Sequence, residues 1–327
     1  MTKTISAYTT SRNPEEMGYP VLASVGSFKT LADEVVVCDT SDDPKALERL
    51  LEPLMIEFEA AGVLLKIVRD ETVDWSAPNF AIYDGQTKAF ARSKCSGEYL
   101  IQFDLDEVMS PDVSRDKIEF CCNNLSVENP LLALPIIEYW GSKGKVRVDI
   151  NPWKPRLSIN LPNITHGIPG HLRKYDSNGL LRANYGTDSC DYIDSKTLKH
   201  IPWIGFMKAE INEIRLKAIH DPNYCQKYEH WYKQIVQRLP TIHHYSWYSV
   251  YDKMKKWQKF YNAFWISLYD EKRPVDYNPF FPGRSLNDVS DEEMKSLAKK
   301  LEECCGGHIF HSPIDPSNLP KTNWVRV

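Results

Sequence analysis

This sequence lacks the features that mark several large protein classes. No window approaches the roughly 20 apolar residues that span a bilayer, and no apolar segment follows a basic start. The eight cysteines form no C-x-x-C pair and no zinc-ligand spacing. The formal net charge is −4, and no run of lysine or arginine offers a surface for nucleic-acid phosphates. We therefore expect a cytoplasmic protein with free thiols, no transmembrane segment and no nucleic-acid partner.

Internal repeats and low-complexity tracts are also missing, which leaves an ordinary globular composition. The 327 residues are 42% hydrophobic, 26% charged and 12% aromatic. Such a chain can bury a sizeable core and is unlike a disordered one. Because the length exceeds that of a typical single domain, we expect one large domain with an extension.

Strand and helix patterns alternate through the first third of the chain. Runs of apolar residues predict strands at 4–10, 34–39, 63–68 and 99–103. Apolar residues at helical spacing predict helices at 21–31, 44–61 and 86–94. This alternation predicts a mostly parallel sheet with helices on both faces, whose ligands bind beyond the carboxyl ends of the strands.

The alternation stops beyond Pro111. Strand patterns at 131–139, 146–150 and 156–159, separated by glycine and proline turns, predict a mixed-sheet half. A loop-rich region follows at residues 160–203.

The last third of the chain has helical patterns. An amphipathic helix is predicted at 249–269, and a capping box at 290–293 opens another. We therefore divide the chain into residues 1–112 and 113–245, two halves of one domain, and a helical extension at 246–327.

An acidic segment closes the strand predicted at 99–103. Asp104, Asp106 and Glu107 place three carboxylates within four positions at its carboxyl end. Neighbouring carboxylates repel each other unless a positive charge lies between them, and Mg²⁺ and Mn²⁺ prefer carboxylate oxygen. The segment therefore suits a divalent ion carrying a phosphorylated ligand, and an acidic turn that caps the next helix is the alternative.

The order of these parts resembles that of GT-A glycosyltransferases, especially family 2 and its relatives. The resemblance spans residues 4–111. It is carried by Thr9-Thr10-Ser11-Arg12-Asn13, Val35-Val36-Val37-Cys38-Asp39, Lys88 and Arg92 ahead of Gly97, and the motif Asp104-Leu105-Asp106. It implies an α/β fold with a mixed, mostly parallel, Rossmann-like sheet flanked by helices, and transfer of a sugar from a nucleotide-sugar donor.

The resemblance also implies which residues form the site. Asp106 would ligate Mn²⁺ or Mg²⁺ held by the donor diphosphate, Asp104 would contact the ribose or the metal, and Asp39 would hydrogen-bond the base. The other implied donor contacts are Thr9, Ser11, Arg12, Lys88 and Arg92. An Asx turn is the alternative for Asp39, and a solvated helix face is the alternative for Lys88 and Arg92.

A histidine late in the chain often supplies a further metal ligand in this fold. The segment His243-His244-Tyr245 follows a short apolar run, and we predict His244 as that ligand. A structural role for a buried imidazole is the alternative. His166 and His171, in the loop-rich region, are candidates for contacts with the acceptor or the diphosphate.

Inverting transfer needs a general base that takes the proton of the acceptor hydroxyl. The Glu-Asp pair that usually carries the base in relatives is absent here. Asp188 and Asp191 are the predicted substitutes, with Asp191 preferred, and turn capping is their alternative role. Glu107 and Glu138 stay open as further candidates.

The sequence thus predicts a metal-dependent, inverting glycosyltransferase that uses a UDP-sugar and a glycan or other hydroxyl acceptor. A nucleotidyltransferase is the first alternative, although residues 9–14 contain no glycine for a phosphate loop. A phosphatase of the HAD type is disfavoured because its D-x-D motif follows the first strand. A catalytically inactive carbohydrate-binding protein is the third, since nine Trp and 17 Tyr suit sugar stacking as well as core packing.

Overall fold

The computed structural model describes residues 3–73, 75, 80–141, 145–147, 151–175, 181–183, 192–206, 208–218, 221–256, 281, 284–285, 288–304 and 309–311. Its strands, in chain order, are β1 (Ile5–Ser11), β2 (Glu34–Asp39), β3 (Leu64–Arg69), β4 (Tyr99–Gln102), β5 (Glu107–Met109), β6 (Leu131–Glu138), β7 (Lys145–Arg147), β8 (Trp153–Ile159), β9 (Ile164–His166), β10 (Arg173–Tyr175), β11 (Leu181–Ala183), β12 (Tyr192–Asp194), β13 (Ile242–His244) and β14 (Ile309–His311). Its helices are α1 (Pro14–Met17), α2 (Val21–Gly26), α3 (Ala46–Ala60), α4 (Phe80–Ser93), α5 (Arg115–Cys122), α6 (Lys208–Ala218), α7 (Pro222–Arg238), α8 (Val250–Lys256) and α9 (Asp291–Cys304).

Eight of the described strands form the central sheet, in the order β3-β2-β1-β4-β8-β6-β13-β5. Strands β1 to β4 are parallel to one another. Strand β8 runs antiparallel to both β4 and β6, and β13 runs parallel to β6 but antiparallel to β5. This is the mixed, mostly parallel sheet that the sequence predicted.

The valine-rich strand β2 is buried on both faces. Val35 and Val37 belong to the main core with the apolar faces of α2 and α3, whereas Val36 and Cys38 pack with Tyr8 on the face covered by α4. A strand with no face toward water has a continuous apolar sequence, as central parallel strands do.

Some helix boundaries differ from the predicted ones. The helix predicted at 21–31 ends at Gly26, because the chain continues as turns in which, for example, the Phe28 amide donates to the Val25 carbonyl at 3.2 Å. Phe28 and Leu31 are nevertheless buried. Their spacing therefore reflects burial in the core and does not indicate that the helix continues. Helix α4 begins at Phe80, six residues before the predicted start at 86.

The second half contains more regular structure than the sequence predicted. Within the loop-rich region, β9 and β12 pair antiparallel, as do β10 and β11. Helices α6 and α7 occupy residues for which we predicted no individual helix, although α7 lies in the last third of the chain, where helical patterns were predicted. The strand predicted at 146–150 is described only as β7, and residues 148–150 lie outside the described residues.

The predicted capping box at the start of α9 is confirmed. The Glu293 amide donates to the Ser290 hydroxyl at 3.3 Å, and the Ser290 amide donates to the Glu293 carboxylate at 2.9 Å. Met294 of α9 packs with Val250 and Met254 of α8. The helix predicted at 249–269 is described only as α8, since residues 257–280 lie outside the described residues. Among the described helices, none has the length and hydropathy needed to cross a membrane.

Candidate active site

The acidic turn, residues 104–107, links β4 to β5 at the carboxyl end of the parallel strands. Phe103 and Leu105 are buried in the core, which leaves the intervening Asp104 to face the other way. The Glu107 amide donates to the Asp104 carbonyl at 2.9 Å, and the Asp104 amide donates to the Glu107 carboxylate at 3.1 Å. The Ser24 hydroxyl of α2 donates to the Glu107 carbonyl at 2.6 Å. The turn is therefore fixed by its own hydrogen bonds and by α2.

Asp104 accepts hydrogen bonds on both carboxylate oxygens. Lys88 Nζ lies 2.8 Å from Oδ1, and Gln102 donates to the same oxygen at 3.0 Å. Arg156 Nη2 lies 2.8 Å from Oδ2. Burial raises the pKa of Asp104, but Lys88 and Arg156 outweigh it and hold the pKa well below its usual range. Because both oxygens already have cationic partners, metal ligation by Asp104 would require one of these contacts to be replaced.

Asp106 pairs with His244, a partner that the sequence predicted only as a fellow metal ligand. Asp106 Oδ2 lies 3.4 Å from His244 Nε2, and the His244 Nδ1 is hydrogen-bonded to the Glu138 carboxylate. Burial opposes a charged imidazole, but Glu138 and Asp106 outweigh it and raise the pKa of His244 to about 9. Burial likewise raises the pKa of Asp106, but His244 outweighs it and lowers the pKa.

Strand register explains why these side chains meet. His244 of β13 is the partner of Glu138 on β6 and of Glu107 on β5. Residues paired across neighbouring strands point to the same face of a sheet, so the three form one row. Two cations of β8 flank the row: Arg156 Nη2 lies 2.6 Å and Lys154 Nζ 3.4 Å from Glu107.

Two lysines of α8 add positive charge near Asp106. Lys253 is buried and donates to the Ser246 hydroxyl, and it lowers the pKa of Asp106. Lys256 Nζ lies 4.5 Å from the ring centre of Tyr19. Burial lowers the pKa of Lys256 to about 8 in spite of the attraction of Asp106. The acidic turn therefore lies among cations from α4, β8 and α8.

Asp39, the predicted base contact, ends β2 and is fully buried. Its carboxylate accepts from the Ser41 hydroxyl at 2.6 Å and from Arg69 Nη1 at 3.1 Å. Burial raises its pKa in spite of these contacts. The Ser41 amide also donates to it at 3.2 Å, which is the Asx turn that was the alternative role. The turn is thus present, and the base contact stays a prediction.

Thr9, Ser11 and Arg12 lie at the end of β1 next to Asp39. Ser11 is the register partner of Asp39, and Thr9 is fully buried. The Arg12 guanidinium carbon lies 4.9 Å from the ring centre of Trp75, and Arg12 Nη1 donates to the Thr40 carbonyl at 3.2 Å. An aromatic ring and a cation thus lie beside the predicted base contact.

Lys88 and Arg92, one turn apart on α4, have different partners. Both are buried, which shows that the alternative of a solvated helix face is wrong. Lys88 binds Asp104, whereas Arg92 donates to the carbonyls of Ile159 and Ile164 at 2.9 and 3.0 Å. These contacts tie α4 to β8 and β9 and favour a structural role for Arg92. Its contact with the donor stays a prediction.

The remaining histidines have partners of their own. His243 is fully buried, and its Nδ1 is 2.6 Å from the Tyr139 hydroxyl. His166 Nε2 is 2.6 Å from the Tyr8 hydroxyl. The ring of His171 lies 5.8 Å from that of His200.

The two predicted bases cannot be placed. Asp188 and Asp191 lie outside the described residues.

Sequence reasoning missed the cations of β8. Lys154 and Arg156 are two positions apart on one strand and therefore share a face, and this alternation was visible in the sequence. The predicted strand at 156–159 began too late to include Lys154.

Asp106 and His244 suit a divalent ion as a pair. Carboxylate oxygen and imidazole nitrogen are accepted ligands for Mn²⁺, and the carboxylate on the second ring nitrogen is the usual outer partner of a metal-bound histidine. In the part of the chain that the structure describes, no three His, Cys, Asp or Glu side chains are grouped as a metal site. An ion here would therefore take two protein ligands, and its other ligands would come from a bound ligand and water.

Comparisons with known proteins found similarity only among solved structures. No protein-family model and no curated protein matches the chain. TarS from S. aureus, in complex with UDP, is 15% identical over 48% of this chain and 47% of its own, with a TM-score of 0.32. Glucosyl-3-phosphoglycerate synthase from Mycobacterium tuberculosis, with Mn²⁺ and UDP, is 17% identical over 42% and 44%, with a TM-score of 0.26.

A third structure of different activity is similar to the same degree. A putative glucose-1-phosphate thymidylyltransferase from Bacillus anthracis is 10% identical over 48% of this chain and 72% of its own, with a TM-score of 0.33. The chain spans less than half the length of the TarS and synthase structures. At these identities and scores the similarity does not define an activity.

Proposed function

We propose that this protein transfers a sugar from a nucleotide-sugar donor, a UDP-sugar by preference, to a hydroxyl group of a glycan or other acceptor. The observation that carries the proposal is the pairing of Asp106 with His244 at 3.4 Å, at the carboxyl end of the central sheet. Ligands of open α/β sheets bind at this end.

The donor would lie along the ends of β1, β2 and β4. Asp39 would accept a hydrogen bond from the base, with Thr9, Ser11 and Arg12 around the base and ribose. The residues proposed to contact the base, the ribose and the diphosphate lie at the ends of β2, β1 and β4, and these strands are neighbours in that order. The base would therefore be at β2 and the diphosphate at the acidic turn.

Asp106 and His244 would hold Mn²⁺ or Mg²⁺ at the diphosphate. A metal ion would take the place of the proton on His244 Nε2. When bound, such an ion neutralises the charge that develops on the leaving nucleotide. Lys253 and Lys256 would add to this charge compensation, since both interact electrostatically with Asp106.

Asp104 would serve as a rigid ribose contact beside the metal ligands. Lys88 and Arg156 fix both of its oxygens, so a small movement of one donor would expose a carboxylate lone pair to a ribose hydroxyl. For the acceptor, Asp191 is the proposed general base and Asp188 the second choice. Inversion follows if that base activates the acceptor for in-line attack.

The proposal is tested by titrating UDP into the wild-type protein and into Asp106→Ala, with and without Mn²⁺. We expect tighter UDP binding with Mn²⁺ in the wild type. Loss of an outer partner of a metal ligand costs about 10- to 100-fold in metal affinity. Loss of the ligand itself in Asp106→Ala should cost more. Asp112→Ala is the matched control, because Asp112 is an exposed aspartate on the loop before α5. Equal UDP–Mn²⁺ affinity in wild type and Asp106→Ala would contradict the proposal.

Product analysis separates the proposed activity from its alternatives. Transfer or slow hydrolysis of a UDP-sugar releases UDP, whereas a nucleotidyltransferase releases pyrophosphate from a nucleoside triphosphate. Binding of free sugar that is indifferent to both nucleotide and metal would instead indicate a carbohydrate-binding protein.

A further inference from the structure

Glu138 and His244 face each other at the ends of two neighbouring strands. Glu138 is the last residue of β6, and His244 is the last residue of β13. The two are register partners in a parallel pair, and the Tyr139 amide donates to the His244 carbonyl at 3.2 Å. Both side chains are at least nine-tenths buried. Their relative position is therefore set by the backbone of the sheet.

The two nitrogens of His244 have different partners. Nδ1 is hydrogen-bonded to Glu138, and Nε2 faces Asp106. A neutral imidazole carries one proton, and a carboxylate can only accept it. Contact with Glu138 therefore holds a proton on Nδ1, so Nε2, which faces Asp106, is the nitrogen that would give up its proton to a metal ion.

A role for Glu138 as the general base fits this geometry less well. The imidazole of His244 lies between Glu138 and Asp106, because the two carboxylates contact opposite nitrogens of the ring. A base must reach the acceptor hydroxyl within hydrogen-bond distance. Glu138 would have to leave His244 to do so.

We infer that Glu138 is a positioning residue that fixes the tautomer and ring orientation of His244 for binding of a divalent cation between Nε2 and Asp106. The inference rests on the proposed function and assigns Glu138 a role that the sequence did not single out. Outer carboxylates of this kind also raise the basicity of a ligating imidazole.

Variants of Glu138 test the inference through metal binding and not through activity. Glu138→Met keeps the length of the side chain without an acceptor, Glu138→Ala removes it, and Glu138→Gln keeps an oxygen that can accept from Nδ1. With UDP present, we expect Mn²⁺ affinity to fall about 10- to 100-fold in the Met and Ala variants. We expect the Gln variant to bind within a few-fold of the wild type. Measuring both loss variants guards against poor folding of one of them.

Glu34→Gln is the matched control. Glu34 is also a buried carboxylate at a strand end, but it binds Lys66 and Ser6 and lies on β2, on the opposite half of the sheet. The Glu34→Gln variant should leave Mn²⁺ affinity unchanged.

The tautomer of His244 is measured separately, in ¹⁵N NMR spectra of histidine-labelled protein with UDP and Mg²⁺. The His244 signals are assigned by their loss in His244→Asn. We expect the proton on Nδ1 in the wild type and a mixture of tautomers in Glu138→Met.

Two results would overturn the inference in distinguishable ways. If folded Glu138→Met and Glu138→Ala bind Mn²⁺ as tightly as the wild type, or if Glu34→Gln loses as much affinity as they do, the positioning role is wrong while the transferase proposal stands. If the wild-type protein with UDP binds no divalent cation, the transferase proposal fails at its own test and the role of Glu138 fails with it.

Discussion

Asp104 and Asp106 are two positions apart, yet their side chains have different surroundings. Asp104 is bound by Lys88 and Arg156, and Asp106 is bound by His244. The carboxylate of Asp104 is neutralised by Lys88 and Arg156, whereas Asp106 has a partner, His244, that can give up a proton to a metal ion. The same residue type thus serves to fix the turn at one position and suits metal binding at the other.

Glu34 provides a residue-scale test that is independent of the site. Burial raises its pKa, but hydrogen bonds from Lys66, Ser6 and the Ser96 amide outweigh burial and lower the pKa below its usual 4.5. A carboxylate with a lowered pKa stabilises the fold above its unfolded-state pKa, and this contribution is lost as the pH falls through the folded-state pKa. We therefore expect Glu34→Gln to reduce the free energy of unfolding at pH 7 by about 1–3 kcal/mol.

The pH dependence distinguishes this cause from a simple packing defect. The difference between wild type and Glu34→Gln should shrink as the pH falls from 7 through the lowered pKa of folded Glu34, because Glu34 then becomes uncharged like glutamine. Urea unfolding at a series of pH values measures it. A difference that stays constant over this range would show that the charge of Glu34 does not stabilise the fold.

At the scale of elements, α4 connects the two halves of the sheet. It presents Lys88 to the acidic turn and Arg92 to the carbonyls near β8 and β9, from positions one helical turn apart. The sequence showed that the two cations share a face. It did not show that one would contact the site and the other the scaffold.

Arg92→Ala tests this division of roles. Removing the guanidinium leaves the Ile159 and Ile164 carbonyls without these donors, so we expect a loss of about 2–4 kcal/mol in the free energy of unfolding. UDP–Mn²⁺ affinity, measured by titration on the folded variant, should stay within a few-fold of the wild type. Lys94→Ala, which removes an exposed cation just beyond α4, is the control for stability. A large loss of UDP affinity would instead support the predicted donor contact of Arg92.

At the scale of the whole molecule, the charges are unevenly distributed. The chain carries a formal net charge of −4, yet cations from three elements surround the acidic turn. A diphosphate carrying a metal ion would meet both signs of charge here.

Ligand binding should therefore be visible in global stability. A ligand that binds only the folded protein stabilises it by about 2.7 kcal/mol at a concentration 100 times its dissociation constant. In a thermal-shift screen of UDP-, GDP- and dTDP-sugars with Mn²⁺, we expect UDP-sugars to raise the melting temperature most and EDTA to cancel the rise. A larger shift with another nucleotide would reassign the donor, and no shift with any of them would contradict nucleotide-sugar binding.

Local patterns in the sequence determined the sheet and the position of the acidic turn. The run Val35-Val36-Val37 predicted an apolar strand, which the structure buries on both faces, and Asp104 and Asp106 after an apolar strand predicted carboxylates at its end. Such features depend on neighbouring residues along the chain, whose side-chain period is fixed by the backbone geometry of strands and helices.

Only the tertiary structure decided which partners those carboxylates have. Arg156 is 52 residues from Asp104 in the chain, and Glu138 is 106 residues from His244. Their contacts depend on the register of β8 against β4 and of β13 against β6. Register is set by packing of the whole sheet, because a shift of one residue would turn every side chain to the opposite face. No local pattern specifies that choice, which is why the sequence located the acidic turn but not the cations and the carboxylate that complete the site.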